Sequence, residues 1–92
     1  MREKIAISII IPAKNEAKNL PALLENLKNH ISANTEILVI NDGSTDDTKK
    51  LVENAGIRII SHPYSQGNGA SIKTGARNAT GDILVFMDAD GQ

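Results

Sequence analysis

Apolar residues in this chain fall into two spacings that alternate along it. Ile5-Ala6-Ile7-Ser8-Ile9-Ile10-Ile11 is a near-continuous β-branched run closed by Pro12, the pattern of a strand covered on both faces. Leu20, Leu23, Leu24, Leu27 and Ile31 then recur at helical spacing, and Pro21 fits a first turn, which predicts a helix from Asn19 or Leu20 to His30. Glu36-Ile37-Leu38-Val39-Ile40 reads as a second buried strand. Ser44 with Asp47 three residues later resembles a capping box with Asp in place of Glu and predicts a helix from Thr45. Leu51, Val52 and Ala55 give that helix its apolar face, and Gly56 ends it in the left-handed conformation. Ile57-Arg58-Ile59-Ile60 is a third strand. A loop over 61–69 leads to a helix over 70–79 stopped by Gly81, and Ile83-Leu84-Val85-Phe86-Met87 is a fourth strand.

Strands alternating with helices through short connections predict a parallel α/β sheet with right-handed crossovers, the first strand lying centrally. The polar residues collect where each strand ends: Lys14-Asn15-Glu16, Asn41-Asp42, Gly67-Asn68-Gly69 and Asp88-Ala89-Asp90. In a parallel sheet these four groups share the carboxyl edge, where open α/β folds bind ligands.

Composition narrows the class of function without choosing one. The 92 residues suffice for one domain; 40% are hydrophobic, 23% are charged, and the net charge is -1. No run of like charge attracts nucleic acid or an anionic membrane surface. Cysteine is absent, and His30 and His62 lie far apart, which argues against thiolate and histidine metal sites. The apolar run over 5–12 is much shorter than the ~20 residues that span a bilayer, and no signal-peptide pattern precedes it, so a cytoplasmic location is expected. Asn78-Ala79-Thr80 matches a glycosylation sequon that such a location leaves unused.

Three acidic residues carry candidate chemistry. Asp88 and Asp90 stand two apart in an extended segment, so their carboxylates project to one side and repel unless a cation lies between them. Hard oxygen ligands suit Mg2+ or Mn2+ carrying substrate phosphates; solvated turn acids before Gly91 are the plainer alternative. Asp42 could be ordinary turn chemistry or an acceptor for a ligand N–H or hydroxyl. The segment Gly67-Asn68-Gly69-Ala70-Ser71-Ile72-Lys73-Thr74 fails as a Walker A loop because Ile72 stands where Gly must precede the Lys. It fails as a dinucleotide fingerprint for want of a third Gly at 72, although glycines at a helix start still let backbone amides approach a phosphate.

Four blocks, in order, carry a resemblance over the whole chain: Ile9-Ile10-Ile11-Pro12-Ala13-Lys14-Asn15-Glu16, Val39-Ile40-Asn41-Asp42-Gly43-Ser44-Thr45-Asp46, Gly67-Asn68-Gly69-Ala70, and Gly81-Asp82 leading to Met87-Asp88-Ala89-Asp90-Gly91-Gln92. Together they resemble the family-2 inverting glycosyltransferases of the GT-A fold, and within them the polyprenyl-phosphate (dolichyl-phosphate) mannosyl- and glucosyltransferases. The resemblance implies a three-layer sheet of order 3-2-1-4. It implies nucleotide contacts at Pro12, Ala13, Lys14 and Glu16, at Ile40 and Asp42, and at Asp88 and Ala89. It implies Mg2+ or Mn2+ held by Asp88, Asp90 and Gln92. Lys14 stands where the family often has an aromatic, and Asn41 where an Asp is common.

The implied reaction moves a sugar from a UDP- or GDP-sugar to an acceptor such as polyprenyl phosphate. An inverting transfer to a hydroxyl needs a carboxylate base, and none remains to be assigned before Gln92; an ionised lipid phosphate needs none. The chain is therefore expected to be the nucleotide-binding half of a GT-A domain over 1–92, inactive alone and self-associating through its fourth strand. Two other readings stay open. A nucleotidyltransferase shares the architecture but would carry a Gly-rich, basic loop after strand 1, where this chain has Ala13-Lys14-Asn15-Glu16. A non-catalytic module would fold and bind nucleotide weakly or not at all.

Overall fold

The computed structural model describes residues 4–89. Seven elements alternate in chain order: β1 (Ile7–Ala13), α1 (Leu20–His30), β2 (Thr35–Asp42), α2 (Thr48–Asn54), β3 (Arg58–His62), α3 (Asn68–Asn78) and β4 (Ile83–Phe86). The four strands form one parallel sheet in the order β3-β2-β1-β4, as the alternation of spacings predicts. β1 runs against β2 from Ile7 opposite Thr35 to Ala13 opposite Asn41.

The period-two geometry of β1 and β2 divides the core into two layers. Ile9, Ile11, Ala13, Ile37 and Val39 face Leu20 and Leu24 of α1 and Val52 of α2. Ile10, Leu38 and Ile40, all with no solvent exposure, form a second cluster on the side where α3 packs against β1 and β2. Burying each such side chain stabilises the fold by roughly 1.5–3 kcal/mol, so the two central strands carry most of the hydrophobic stabilisation. Gly75 lets α3 approach: a Cβ there would lie 2.4 Å from Ile10 Cγ2.

The strands extend further toward the carboxyl edge than the apolar runs suggest. β1 continues through Pro12 to Ala13, and β2 through Asn41 to Asp42; Pro12 has no N–H to give, yet its carbonyl and φ suit a strand. Asn41 and Asp42 are each only 5% exposed. Gly56, with φ 72°, ends α2 in the left-handed conformation as expected.

The start of α2 differs from expectation. It begins at Thr48, not Thr45, and no side chain of its N-cap residue Asp47 caps it. The Ser44 hydroxyl instead accepts the Asn15 N–H at 2.9 Å, and Asp46 receives the Thr48 N–H at 3.0 Å. Of the two capping-box residues, Ser44 is taken up by a contact across the carboxyl edge, made with a loop 29 residues away.

Candidate functional site

Two loops are fastened together along the carboxyl edge. Asn15 adopts a left-handed backbone, φ 55°, which turns its Oδ1 onto the β2–α2 loop, where it accepts the Thr45 N–H at 2.8 Å and the Asp46 N–H at 3.3 Å. In return Glu16 gives its N–H to Thr48 Oγ1 at 3.0 Å, and Ala17 gives its own to Asp46 Oδ2 at 3.2 Å. The Asp46 carboxyl lies below its ordinary range because the Thr48 hydroxyl donates to it, joined by the Thr48 and Ala17 N–H groups. The loop after β1 is thus a rigid wall.

Opposite that wall, Asp42 organises the loop between β3 and α3. Its Oδ1 accepts from His62 Nδ1 and from the Gln66 N–H, both at 2.8 Å; its Oδ2 accepts from the Gly67 N–H at 3.0 Å and the Ser65 hydroxyl at 3.1 Å. Burial pushes the Asp42 carboxyl up, but His62, the two backbone amides and Ser65 together outweigh it and hold the group at about 2 instead of 3.8. His62 is fixed at its other ring nitrogen too, with Nε2 2.8 Å from Thr74 Oγ1 of α3. Nδ1 donates to the Asp42 carboxylate, and Nε2 pairs with the Thr74 hydroxyl, which can both give and accept a hydrogen bond. Gly43, with φ 69°, lets the Asp42 turn press on this loop, since a Cβ there would lie 2.5 Å from the Ser65 nitrogen.

Between wall and loop lies a cavity of about 270 Å3 lined by Pro12, Ala13, Lys14 and Asp42 together with Ser65, Gly67, Asn68 and Ser71. Four of the residues expected to touch nucleotide thus share one cavity with the glycine-bearing start of α3. Glu16 is not among the lining residues: its N–H and carbonyl serve the loop and the start of α1, and Oε2 accepts from Asn19 Nδ2 at 3.0 Å. Ile40 is also set apart, its side chain buried with Ile10 and Leu38, so its only route to a ligand is through its backbone. Ala89 is 5% exposed and joins the core cluster of Ile11 and Ala13, which seats the segment after β4 beside the cavity's β1 wall. Asp88 is exposed there. Asp90 and Gln92 lie outside the described residues.

The donor chemistry at this end of the sheet limits which cation it could hold. Cysteine is absent, His62 is engaged by Asp42 and Thr74, and His30 Nδ1 faces the Asn26 carbonyl at 2.7 Å. Carboxylate oxygen is what remains at this end of the sheet, and it fits a hard divalent cation. Among the described residues no group of three or more His, Cys, Asp or Glu side chains assembles; of the Asp88 and Asp90 pair, Asp88 is the one that falls within them.

Ser65, Ser71, His62 and Thr74 were not singled out by the sequence. The parallel register that sets His62 opposite Asp42 is the signal that could have found His62. The serines and Thr74 carry no such mark, because hydroxyls are common in loops and at helix starts. A larger groove of about 340 Å3 between α1 and α2 is lined by Leu24, Leu51 and Ala55 among others and by none of these four residues.

Known proteins resemble this chain in sequence and in fold. A dolichyl-phosphate beta-glucosyltransferase of Trichomonas vaginalis is 33% identical over 100 residues, covering 95% of this chain and 31% of the relative. An undecaprenyl-phosphate 4-deoxy-4-formamido-L-arabinose transferase of Pseudomonas savastanoi pv. phaseolicola is 33% identical over 96 residues, covering 94% and 28%. The chain therefore spans about a third of the length of these relatives. Among solved structures, a mannosyltransferase of Pyrobaculum calidifontis in complex with GDP-Man and Mn2+ superposes with a TM-score of 0.86 at 26% identity, over 96% of this chain and 28% of that one. The glucosyl-3-phosphoglycerate synthase of Mycobacterium tuberculosis, in a complex containing UDP and Mn2+, gives 0.81 at 28% identity, over 91% and 33%. The four-stranded order and its flanking helices are those of the GT-A, Rossmann-like fold. With residues 8–92 matching the sequence profile of that group, the chain belongs to glycosyl transferase family 2.

Proposed function

We propose that this chain is the donor-binding part of a metal-dependent glycosyltransferase, taking a nucleoside diphosphate sugar of the UDP or GDP type and serving transfer to an acceptor of the polyprenyl phosphate class. The observation that carries the reading is the cavity at the carboxyl edge, where Pro12, Ala13, Lys14 and Asp42 meet the start of α3 beside the segment bearing Asp88. Its volume suits a nucleoside more than a whole nucleotide sugar, so the diphosphate extends out of it. The β1 wall cradles base and ribose, and Lys14 adds a cation on the diphosphate's path. Asp42 reads a base N–H, and the backbone amides entering α3 sit where a partial positive charge favours an anion.

Asp88, with Asp90 and Gln92, is assigned to Mg2+ or Mn2+. When bound, the cation neutralises charge that builds on the departing diphosphate, a stabilisation of several kcal/mol, roughly, in such reactions. What the protein's own residues do is bind and orient: the Asn15 and Asp46 contacts hold the β1 loop in one geometry, so the donor meets a preformed wall. A lipid phosphate acceptor is ionised at neutral pH and attacks without a general base. Self-association through β4 and a cytoplasmic site of action complete the proposal; no described helix is long and apolar enough to cross a membrane.

Calorimetry with UDP and GDP, with and without Mn2+, tests it. Binding strengthened by Mn2+ is expected, with Asp90→Ala abolishing the metal-dependent part and leaving the fold intact. Asp42→Ala should weaken nucleoside and diphosphate alike, by about 1–3 kcal/mol, with metal titration unchanged. Failure of both nucleotides to bind in the presence of Mn2+ points to a non-catalytic module, and a loss confined to the diphosphates moves Asp42 to the phosphate side.

A further inference from the structure

Asp42 meets the cavity with its acceptor capacity filled. An ionised carboxylate offers about four lone-pair positions, and four protein donors occupy them: His62 Nδ1 and the Gln66 N–H on Oδ1, the Gly67 N–H and the Ser65 hydroxyl on Oδ2. A ligand N–H that is to bond Asp42 must displace one of the four. The donors differ in how readily they yield. The His62 side chain is 8% exposed and held at both nitrogens. The Gln66 and Gly67 donors belong to the backbone, and moving them means lifting a loop that is seated against Gly43. The Ser65 hydroxyl makes the longest of the four bonds, 3.1 Å. It leaves by rotation about a single bond, belongs to an exposed residue, and lines the same cavity as Asp42.

We propose that Ser65 is a specificity-setting residue: its hydroxyl occupies Asp42 Oδ2 in the free protein and swings off when a ring N–H of the imide or amide kind, as in uracil and guanine, takes its place. The inference rests on the reading of Asp42 as the base acceptor. It has two consequences. Oδ2 exchanges one donor for another while Oδ1 stays bound by His62 and Gln66, so the carboxylate keeps its orientation through the exchange. A ligand that offers no donor at this point leaves Asp42 bonded to Ser65 and gains nothing from it. The released hydroxyl returns to water at the mouth of the cavity, so the exchange reduces the affinity by the worth of one hydrogen bond.

Removing the competitor should therefore tighten binding, the reverse of what deleting a ligand contact does. Titration calorimetry of the parent chain, Ser65→Ala and Ser65→Thr with uridine, guanosine, UDP and GDP makes the comparison, with circular dichroism to verify that each variant is folded. Ser65→Ala is expected to bind the ring N–H nucleoside and its diphosphate roughly three- to tenfold more tightly than the parent. The gain should be equal for nucleoside and diphosphate and independent of Mn2+, since it arises at the base. Ser65→Thr, which keeps the hydroxyl, should match the parent. Binding by Ser65→Ala that is unchanged or weaker, while the parent binds, overturns the exchange and leaves Ser65 as loop support. No binding of any of the four compounds by parent and variants alike overturns the base-site reading, and the exchange falls with it.

Discussion

In Asp42 the stability of the fold and the proposed recognition of a ligand meet in one side chain. Its carboxyl is held at about 2 against an ordinary 3.8, which at neutral pH stabilises the fold by about 2 kcal/mol. The folded value is depressed, so the unfolded chain takes up the proton first as pH falls. The contribution is complete above about pH 4 and is lost as pH descends through about 2. Urea denaturation at a series of pH values should show the stability gap between the parent and Asp42→Asn shrinking over that window; a gap independent of pH would count against this account. Glu36 adds to the acid sensitivity of the parent and the variant equally. Burial raises its carboxyl, but donation from Ser8, the Thr80 N–H and hydroxyl, and Arg58 brings it below the usual range. Because His62 supplies one of the four donors to Asp42, His62→Phe should destabilise by about 1–3 kcal/mol through the donor missing at a buried carboxylate. The variant's extra loss of stability should ease as acid protonates Asp42.

At the scale of elements, the strands and α1 were legible because their burial is written locally, in runs of Ile, Leu and Val with a period of two or near four. Ile9, Ile10 and Ile11 read as a two-faced strand, and each of them is in the core. What escaped the sequence is what depends on distant partners. Ser44 and Asp47 have the look of a helix start, but Ser44 serves Asn15, and no local pattern says so. Likewise Lys14 and Asp42 could be gathered at one edge from topology alone and Pro12 and Ala13 added from the family resemblance, whereas the filling of Asp42 by residues 62–67 needed the folded loop. The approach of α3 to the sheet gives an element-scale prediction. Gly75→Ala would gain helix propensity of about 1 kcal/mol, yet its methyl would meet Ile10 Cγ2 inside a fully buried contact. Overpacking of this kind costs about 1–3 kcal/mol, so a net loss in urea denaturation is expected. Combining it with Ile10→Ala should give a loss smaller than the sum of the two single changes, because the second removes what the first collides with. Additive losses would show that α3 adjusts instead.

The whole molecule is covered unevenly, and the imbalance sets its behaviour in solution. α1 and α2 cover one face of the sheet and α3 the other, centred on β1 and β2. β4 pairs with β1 on one side and has no second strand beside it among the described residues. Ile83, Val85 and Phe86 are 58%, 38% and 46% exposed, a concentration of large apolar side chains on an edge strand that bears no charge. Such an edge offers unpaired backbone groups and apolar surface together, the combination that promotes strand-to-strand association. The 92-residue chain by itself is therefore expected to associate. Sedimentation velocity over a concentration series should show the average mass rising with concentration. Val85→Lys, which places a charge in the middle of the strip, should shift the distribution toward monomer. Because Val85 is not among the residues lining the carboxyl-edge cavity, that variant should bind UDP or GDP as the parent does. A parent that sediments as one monomeric species at every concentration would show that the exposed edge of β4 is harmless in water, and a Val85→Lys variant that loses nucleotide affinity would show that edge and cavity are coupled.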